Sequence, residues 1–169
     1  MTKIFNAPNG ARLELQPQHF SWTTKFARPG NHIFALVIDA LQRIHSLAKA
    51  NRATVLIVLQ SSKEEVYLPL LGEPPVDPGA PLRAALAERG IPYLSLLDEF
   101  RRRAAKGEAL FFETDGHPNA HGNALIAELV SSHLKQHAKK YGLISRFHEN
   151  AAPLYHADRA PMGNGPDLR

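Results

Sequence analysis

The chain contains no cysteine, which excludes disulfides, thiolate zinc sites and cysteine nucleophiles. It has no apolar run long enough to span a bilayer as a helix. Its first residues contain no hydrophobic region of the kind found in signal peptides. These features predict a cytoplasmic location for the chain as it stands. An extracytoplasmic location is the alternative if the chain belongs to a longer product.

Basic clusters interleaved with aromatic residues, which are typical of nucleic-acid binding, are also missing. The formal net charge is +4, and the positive residues are scattered except at 101–103 and 139–140, within or at the end of predicted helices. Such runs usually form solvated helix faces, so we expect no nucleic-acid partner. With 169 residues, 44% hydrophobic and 21% charged, the composition is typical of one globular domain with a sizeable core.

Helical and strand patterns alternate along the chain. Residues 4–16 predict a β-hairpin that turns at 8–10, and Asn31 predicts the N-cap of a helix that ends near Ala50. The apolar run 54–60 predicts a strand buried on both faces of a parallel sheet. The remaining predictions are a surface connection at 69–81, a strand at 91–97 and helices at 82–89, 98–106 and 120–139. This alternation predicts an α/β fold whose sheet, with only two good core strands, is incomplete.

Three regions follow from these patterns. Residues 1–30 are a hairpin and an irregular segment whose aromatic cluster is interpreted as local core, with a substrate wall as the less favoured alternative; its members are Phe20, Trp22 and Phe26. Residues 31–139 form the α/β region, and residues 140–169 are expected to be a mobile tail.

The clearest chemical pattern is the sequence FFETDGHPNAHGN at residues 111–123. His117 is the candidate general base, and Asp115 is the candidate acid that fixes its tautomer and stabilises the imidazolium. In parallel sheets, active residues lie on loops of this kind. Asn119 is expected to cap the following helix, and Gly122 to let it pack closely. The alternative is that Asp115 and Asn119 are ordinary turn and cap residues and His117 is exposed by chance.

A metal site at Asp115, His117 and His121 is a second alternative. Two histidines four residues apart bind a metal from a continuous helix, and Pro118 interrupts this one. We therefore expect no metal and no other cofactor.

The sequence SSKEEVY at residues 61–67 directly follows the first core strand, at the sheet end where ligands bind. Lys63 and Tyr67 are therefore candidate substrate-binding residues. The alternative is a helix start, with Ser61 or Ser62 as the cap and two glutamates in the first turn.

Taken in order, these segments resemble the C-terminal half of SGNH (GDSL-type) hydrolases, particularly the branch that includes alginate O-acetylation proteins. The resemblance rests on 55–59, 61–67, 90–96 and 111–119, and it covers about residues 31–139. Residues 1–30 resemble a variable insertion of that family. The resemblance implies a flavodoxin-like three-layer α/β/α sandwich and Ser-His-Asp acyl chemistry. His117 matches the family base and Asp115 the orienting acid, at the shorter Asp-x-His spacing of the acetylation branch.

The family's nucleophile motif, Gly-Asp-Ser, does not occur in the sequence. Ser21 and Ser95 lack its context, and the family's oxyanion donors are missing with it. We therefore expect the distal part of a split or truncated SGNH protein that hydrolyses or transfers acyl groups of a small-molecule or carbohydrate ester. Its expected partners are an upstream half-domain or a second copy at the open sheet edge. The alternative is a non-catalytic remnant that serves as a binding or interaction domain.

Overall fold

The computed structural model describes residues 2–17 and 30–143. A compact unit extends to Gln136 and contains all the helices and strands given below. Residues 137–143 form turns of their own, in which the Lys140 ammonium lies 5.9 Å from the centre of the Tyr141 ring. Two predictions, the aromatic cluster at 20–26 and the mobile tail beyond 143, lie outside the described residues.

The predicted hairpin is present. Strand β1 (Lys3–Asn6) pairs antiparallel with β2 (Arg12–Leu15), with Phe5 opposite Leu13. The turn closes through a 2.9 Å bond from the Gly10 N–H to the Ala7 carbonyl, and Gly10 adopts the positive φ that glycine accommodates without strain. Since Leu13 and Leu15 are buried, one face of the hairpin is part of the core.

The hairpin tip also touches a second turn. Gly107 has a φ of +87°, and a Cβ added there would lie 2.5 Å from Pro8 Cγ. The proline ring at the tip therefore fits into the space that the absent side chain leaves.

Helix α1 (His32–Ala50) begins where predicted, because the Asn31 side chain accepts a 2.8 Å hydrogen bond from the Ile33 N–H. The predicted core-facing stripe of this helix is only partly correct. Ile38 is buried, whereas Val37 and Ile44 are exposed along with further apolar residues of the helix. Much of the apolar surface of α1 is therefore not covered by the described residues.

Strand β3 (Ile57–Leu59) pairs in parallel with β4 (Tyr93–Ser95), with Val58 opposite Leu94. Both strands are shorter than the predicted 54–60 and 91–97. The prediction that the first is buried on both faces is wrong, because Val58 is 38% exposed. Among the described residues β4 is the only strand that pairs with β3, and the sheet face that carries the Val58 side chain is exposed to solvent.

The remaining helices are α2 (Lys63–Tyr67), α3 (Ala80–Glu88), α4 (Leu97–Ala104) and α5 (Ala120–Gln136), and a 3₁₀ helix spans Leu68–Leu71. The helix-start interpretation of 61–67 is confirmed. The Ser62 hydroxyl accepts from the Glu65 N–H and the Glu65 carboxylate accepts from the Ser62 N–H, which completes a capping box at the start of α2. The connection predicted at 69–81 is shorter than expected, because its first residues belong to the 3₁₀ helix and its last residues belong to α3.

The core joins the hairpin, α2, α4, the 109–111 stretch and the start of α5. Three aromatic rings meet there: the Phe111 ring lies 6.1 Å from that of Tyr67 and 5.8 Å from that of Phe100. The chain is thus a mixed α/β protein with small sheets, one of them parallel. Within the described parts of the chain, no helix is long and apolar enough to cross a membrane.

Candidate functional site

The 111–118 segment is a closed loop between α4 and α5. Phe111 and Pro118 form an antiparallel bridge, and the Phe112 N–H donates to the His117 carbonyl at 3.1 Å. At the base of the loop, the Asn119 amide group donates to the Ala109 and Phe111 carbonyls at 2.9 and 3.0 Å. The loop therefore has a fixed stem, and its tip carries the candidate acid and base.

Asp115 and His117 are in direct contact, as predicted. One carboxylate oxygen, Oδ1, accepts a 2.8 Å hydrogen bond from the His117 backbone N–H and also contacts the ring Nδ1. An aspartate that accepts from the N–H two residues later forms an Asx turn, which explains why the short Asp-x-His spacing brings the two groups together. These hydrogen bonds hold the pKa of the Asp115 carboxyl below its usual value, so the group is ionised at neutral pH.

The pair lies at the surface: the Asp115 side chain is 54% exposed and the His117 side chain 82%. With Nδ1 against the carboxylate, Nε2 is the ring nitrogen available to another molecule. The arrangement can fix a histidine tautomer and accept a proton from a hydroxyl brought to Nε2.

Lys63 lies beneath this loop and is 1% exposed. Its ammonium group donates hydrogen bonds to the Phe112, Glu113 and Asp115 carbonyls at 3.3, 3.0 and 2.9 Å. Burial lowers the pKa of Lys63, and the nearby carboxylates of Glu64, Asp115 and Glu14 oppose that shift. The lysine predicted to contact substrate instead supports the loop from inside.

Tyr67 is also in the interior and is fully buried. Its hydroxyl donates to the Glu108 carbonyl at 2.6 Å and accepts from the Leu110 N–H at 2.9 Å. Burial raises the pKa of this phenol to about 12. The predicted substrate-binding role of Lys63 and Tyr67 is thus corrected: neither side chain faces solvent, because each satisfies backbone groups of the segment that carries the site.

Two helix-start predictions for this region are confirmed. The Asn119 side-chain oxygen accepts a 3.0 Å hydrogen bond from the Gly122 N–H, which caps the first turn of α5. Gly122 also lies so close to the Leu110 carbonyl that a side chain would not fit.

A groove of about 400 Å³ adjoins the loop, between β2 and the start of α5. Residues not singled out from the sequence line it, notably Arg12, Phe112 and Glu113, together with His121. The Arg12 guanidinium lies 3.4 Å from the Glu113 carboxylate, and Phe112 is 54% exposed. Polar and apolar residues alternate along β2, and Arg12 is one of the polar ones. This alternation predicts that Arg12 points away from the core, but it does not indicate which residues Arg12 contacts.

A metal site and a serine partner for His117 would each need side chains that the described residues do not bring together. No group of three or more histidine, aspartate or glutamate side chains is placed to hold a metal ion anywhere in 2–17 or 30–143. No serine hydroxyl within those ranges hydrogen-bonds to His117. Ser61 is buried with its Oγ unpaired, Ser95 lies in β4, and Ser21 is outside the described residues.

Comparison with known proteins gives no family: no family model matches the chain, and no significant match exists among curated proteins or solved structures.

Proposed function

We propose that this chain supplies the acid–base half of an SGNH-type serine esterase or O-acyltransferase. His117 is the general base, Asp115 orients it, and the serine nucleophile comes from another polypeptide segment. The observation that supports this is the contact between Asp115 Oδ1 and His117 Nδ1 on an exposed, fixed loop. The same pairing leaves Nε2 outward, which is the geometry that a Ser-His-Asp triad requires.

The reaction follows from the roles of these atoms. His117 Nε2 takes the proton of the serine hydroxyl as its oxygen attacks the ester carbonyl, and the ionised Asp115 stabilises the imidazolium that forms. The tetrahedral intermediate expels the alcohol, which receives that proton, and an acyl-serine remains. Water or an acceptor hydroxyl then gives its proton to His117 and attacks the acyl-serine. The products are a carboxylic acid or a new ester, and the serine is regenerated.

The groove beside the loop is the place we assign to the substrate. It combines an exposed aromatic ring, Phe112, with a cation, Arg12. Such a surface suits an ester with an apolar and a polar end, such as an acetylated sugar or a small acyl ester.

A second candidate function is a non-catalytic interaction domain. The specific observation in its favour is the apolar surface that the described residues leave open on α1 and β3, which includes Leu36, Leu47 and Val58. Large exposed apolar patches mark sites of association.

The test is reconstitution. The chain is mixed with a separately expressed segment that carries a Gly-Asp-Ser strand and is encoded beside it, and aryl-acetate turnover and fluorophosphonate labelling are measured. We expect neither from the chain alone and both from the mixture. Asp115→Asn, which keeps the oxygen that accepts the His117 N–H, should lower turnover by roughly 10²–10⁴-fold.

His117→Gln should abolish turnover, and His32→Gln is the matched control, since His32 is an exposed histidine at the start of α1 that does not line the groove. Turnover that survives His117→Gln would refute the proposal. Labelling of the chain alone would place the nucleophile within it.

A further inference from the structure

Lys63 is attached to a rigid part of the fold. It is the first residue of α2, directly after the Ser62 capping box. The helix is further tied to α4, because Arg101 Nε donates to the Glu65 carbonyl at 3.0 Å. The base of the Lys63 side chain therefore has little freedom, and its ammonium has a fixed position beneath the loop.

The three N–H donors of the ammonium match three acceptors of the loop. They reach the carbonyls of residues 112, 113 and 115, so the backbone is held on both sides of Thr114. The Glu113 carbonyl also accepts from the Glu14 N–H at 2.8 Å, which joins the same point to strand β2. Since an ammonium has only three donors, Lys63 has none left for a ligand.

Burying this cation is costly, and the structure compensates for it only in part. Three carboxylates face it: Glu64 on its own helix, Asp115 on the loop and Glu14 on β2. None of the ion pairs formed by the described residues includes Lys63. An apolar side chain of the same length would fill the space without the desolvation cost. What it would lack is the three donors.

The geometry points to Lys63 as the positioning residue of the Asp115–His117 pair: by holding the backbone on either side of Thr114, it sets the Asx turn in which the carboxylate meets the imidazole. The catalytic purpose of this role rests on the proposed function. The role itself is defined by the contact, so it can be tested without turnover.

The test is a double-mutant cycle read on the pKa of the Asp115 carboxyl, followed by ¹³C NMR. In the wild-type chain, His117→Gln should raise this pKa, because it removes the ring contact that helps to lower it. In a Lys63→Met background, the same change should raise it by about half as much or less, since the turn is no longer held. The Lys63 charge is missing both from Lys63→Met and from the double variant Lys63→Met/His117→Gln. Its direct effect on the Asp115 pKa is therefore the same in both and cancels when the two are compared.

Tyr67→Phe is the matched control, because Tyr67 satisfies backbone groups at 108 and 110 and does not touch the 112–115 carbonyls. It should leave the effect of His117→Gln unchanged. An unchanged effect in Lys63→Met, or an equal loss in Tyr67→Phe, would show that Lys63 only stabilises the fold and would overturn the inference.

A measurement on the wild-type chain covers the case in which Lys63→Met does not fold. The ¹⁵N-labelled Lys63 ammonium should give slowly exchanging protons, because three carbonyls hold them away from water. Protons that exchange as fast as those of surface lysines would contradict the inference. Failure of reconstituted turnover with the pKa coupling intact would refute the proposed function alone.

Discussion

Gly122 and Leu110 approach each other so closely that a Cβ added to Gly122 would lie 2.1 Å from the Leu110 carbonyl oxygen. The Cβ added to Gly122 would also lie 2.9 Å from Pro118 Cβ. The start of α5 thus rests directly on the backbone that leads into the site loop. Because the obstacle is backbone, it cannot move aside as the end of a side chain can.

Gly122→Ala should lower the free energy of unfolding by roughly 1–3 kcal/mol, measured by urea denaturation, because the added methyl forces α5 away from its seat. The sign is informative, since alanine is otherwise favoured over glycine in a helix by about 1 kcal/mol. Gly116→Ala is the control, because nothing lies within 4 Å of its added Cβ. An equal or greater stability for Gly122→Ala would show that the two segments are not so close in solution.

Asn119→Asp should destabilise the chain by roughly 1–3 kcal/mol, even though aspartate is as good a helix cap as asparagine. The substitution keeps the oxygen that accepts the Gly122 N–H but removes the donors to the Ala109 and Phe111 carbonyls. It also places a negative charge against those two oxygens. Asn123→Asp is the matched control, because that exposed side chain donates only to the Pro118 carbonyl. Thermal unfolding of the two variants side by side should separate them clearly, and equal melting temperatures would argue against the Asn119 contacts.

The Tyr67 phenol should make stability depend on alkaline pH. Its pKa in the folded chain is raised from 10.0 to about 12, so its stabilising effect is complete below pH 10 and is lost as the pH rises towards 12. Tyr67→Phe should cost roughly 1–3 kcal/mol near neutral pH, because two buried hydrogen bonds disappear. The difference between wild type and variant should then shrink as the pH rises above 10.

Urea midpoints measured across this alkaline range check the prediction, with Tyr93→Phe on the half-buried β4 as the control. A wild-type–variant difference that stays constant up to the highest pH would contradict the assigned role of the hydroxyl.

The second edge of β3 predicts self-association. Within residues 2–17 and 30–143, β3 pairs with β4 alone and carries an exposed valine, so its other edge can pair with another copy and sedimentation velocity should show concentration-dependent assembly. Val58→Lys should shift the distribution to monomer, because a charged side chain opposes edge pairing. Ala87→Lys adds the same charge to an exposed position of α3 and should have no such effect. A sharp, thermally stable monomer at all concentrations would count against this interpretation.

Local patterns were enough to predict much of the fold. The hairpin, the Asn31 cap and the two parallel strands follow from turn chemistry and periodicity, and each is present. Strand lengths were not predictable, because they depend on pairing. The apolar run 54–60 shows strand propensity throughout, yet the ladder includes only Ile57–Leu59. The exposure of α1 was also unpredictable. A periodic apolar stripe indicates which face of the helix is suited to burial, but it does not indicate whether another element packs against that face.

The candidate site was predictable where it is local. Asp115 and His117 are two residues apart, so a local Asx turn is enough to bring the two groups within reach of each other, and Lys63 then holds that turn from below. The place of Lys63 depends on tertiary packing. Lys63 and Tyr67 are four residues apart in a capped helix, so they lie on the same helix face. A helix of five residues is too short for its sequence pattern to indicate whether that face contacts the core or solvent. The structure turns it inward. Of the two residues expected to meet substrate, Lys63 instead binds carbonyls of the loop and Tyr67 binds backbone groups of the stretch that precedes it.

The seating of Pro8 against Gly107 has a consequence for protein engineering. A two-stranded ribbon with an Asn-Gly tip is ordinarily an attractive place to insert an epitope tag or a fluorescent reporter, because such tips usually project freely. Here the tip is held by a turn more than ninety positions away in the sequence, and that turn has no room for a methyl group. A peptide or domain inserted there would therefore displace Pro8 from Gly107 and separate the hairpin tip from the turn at Gly107.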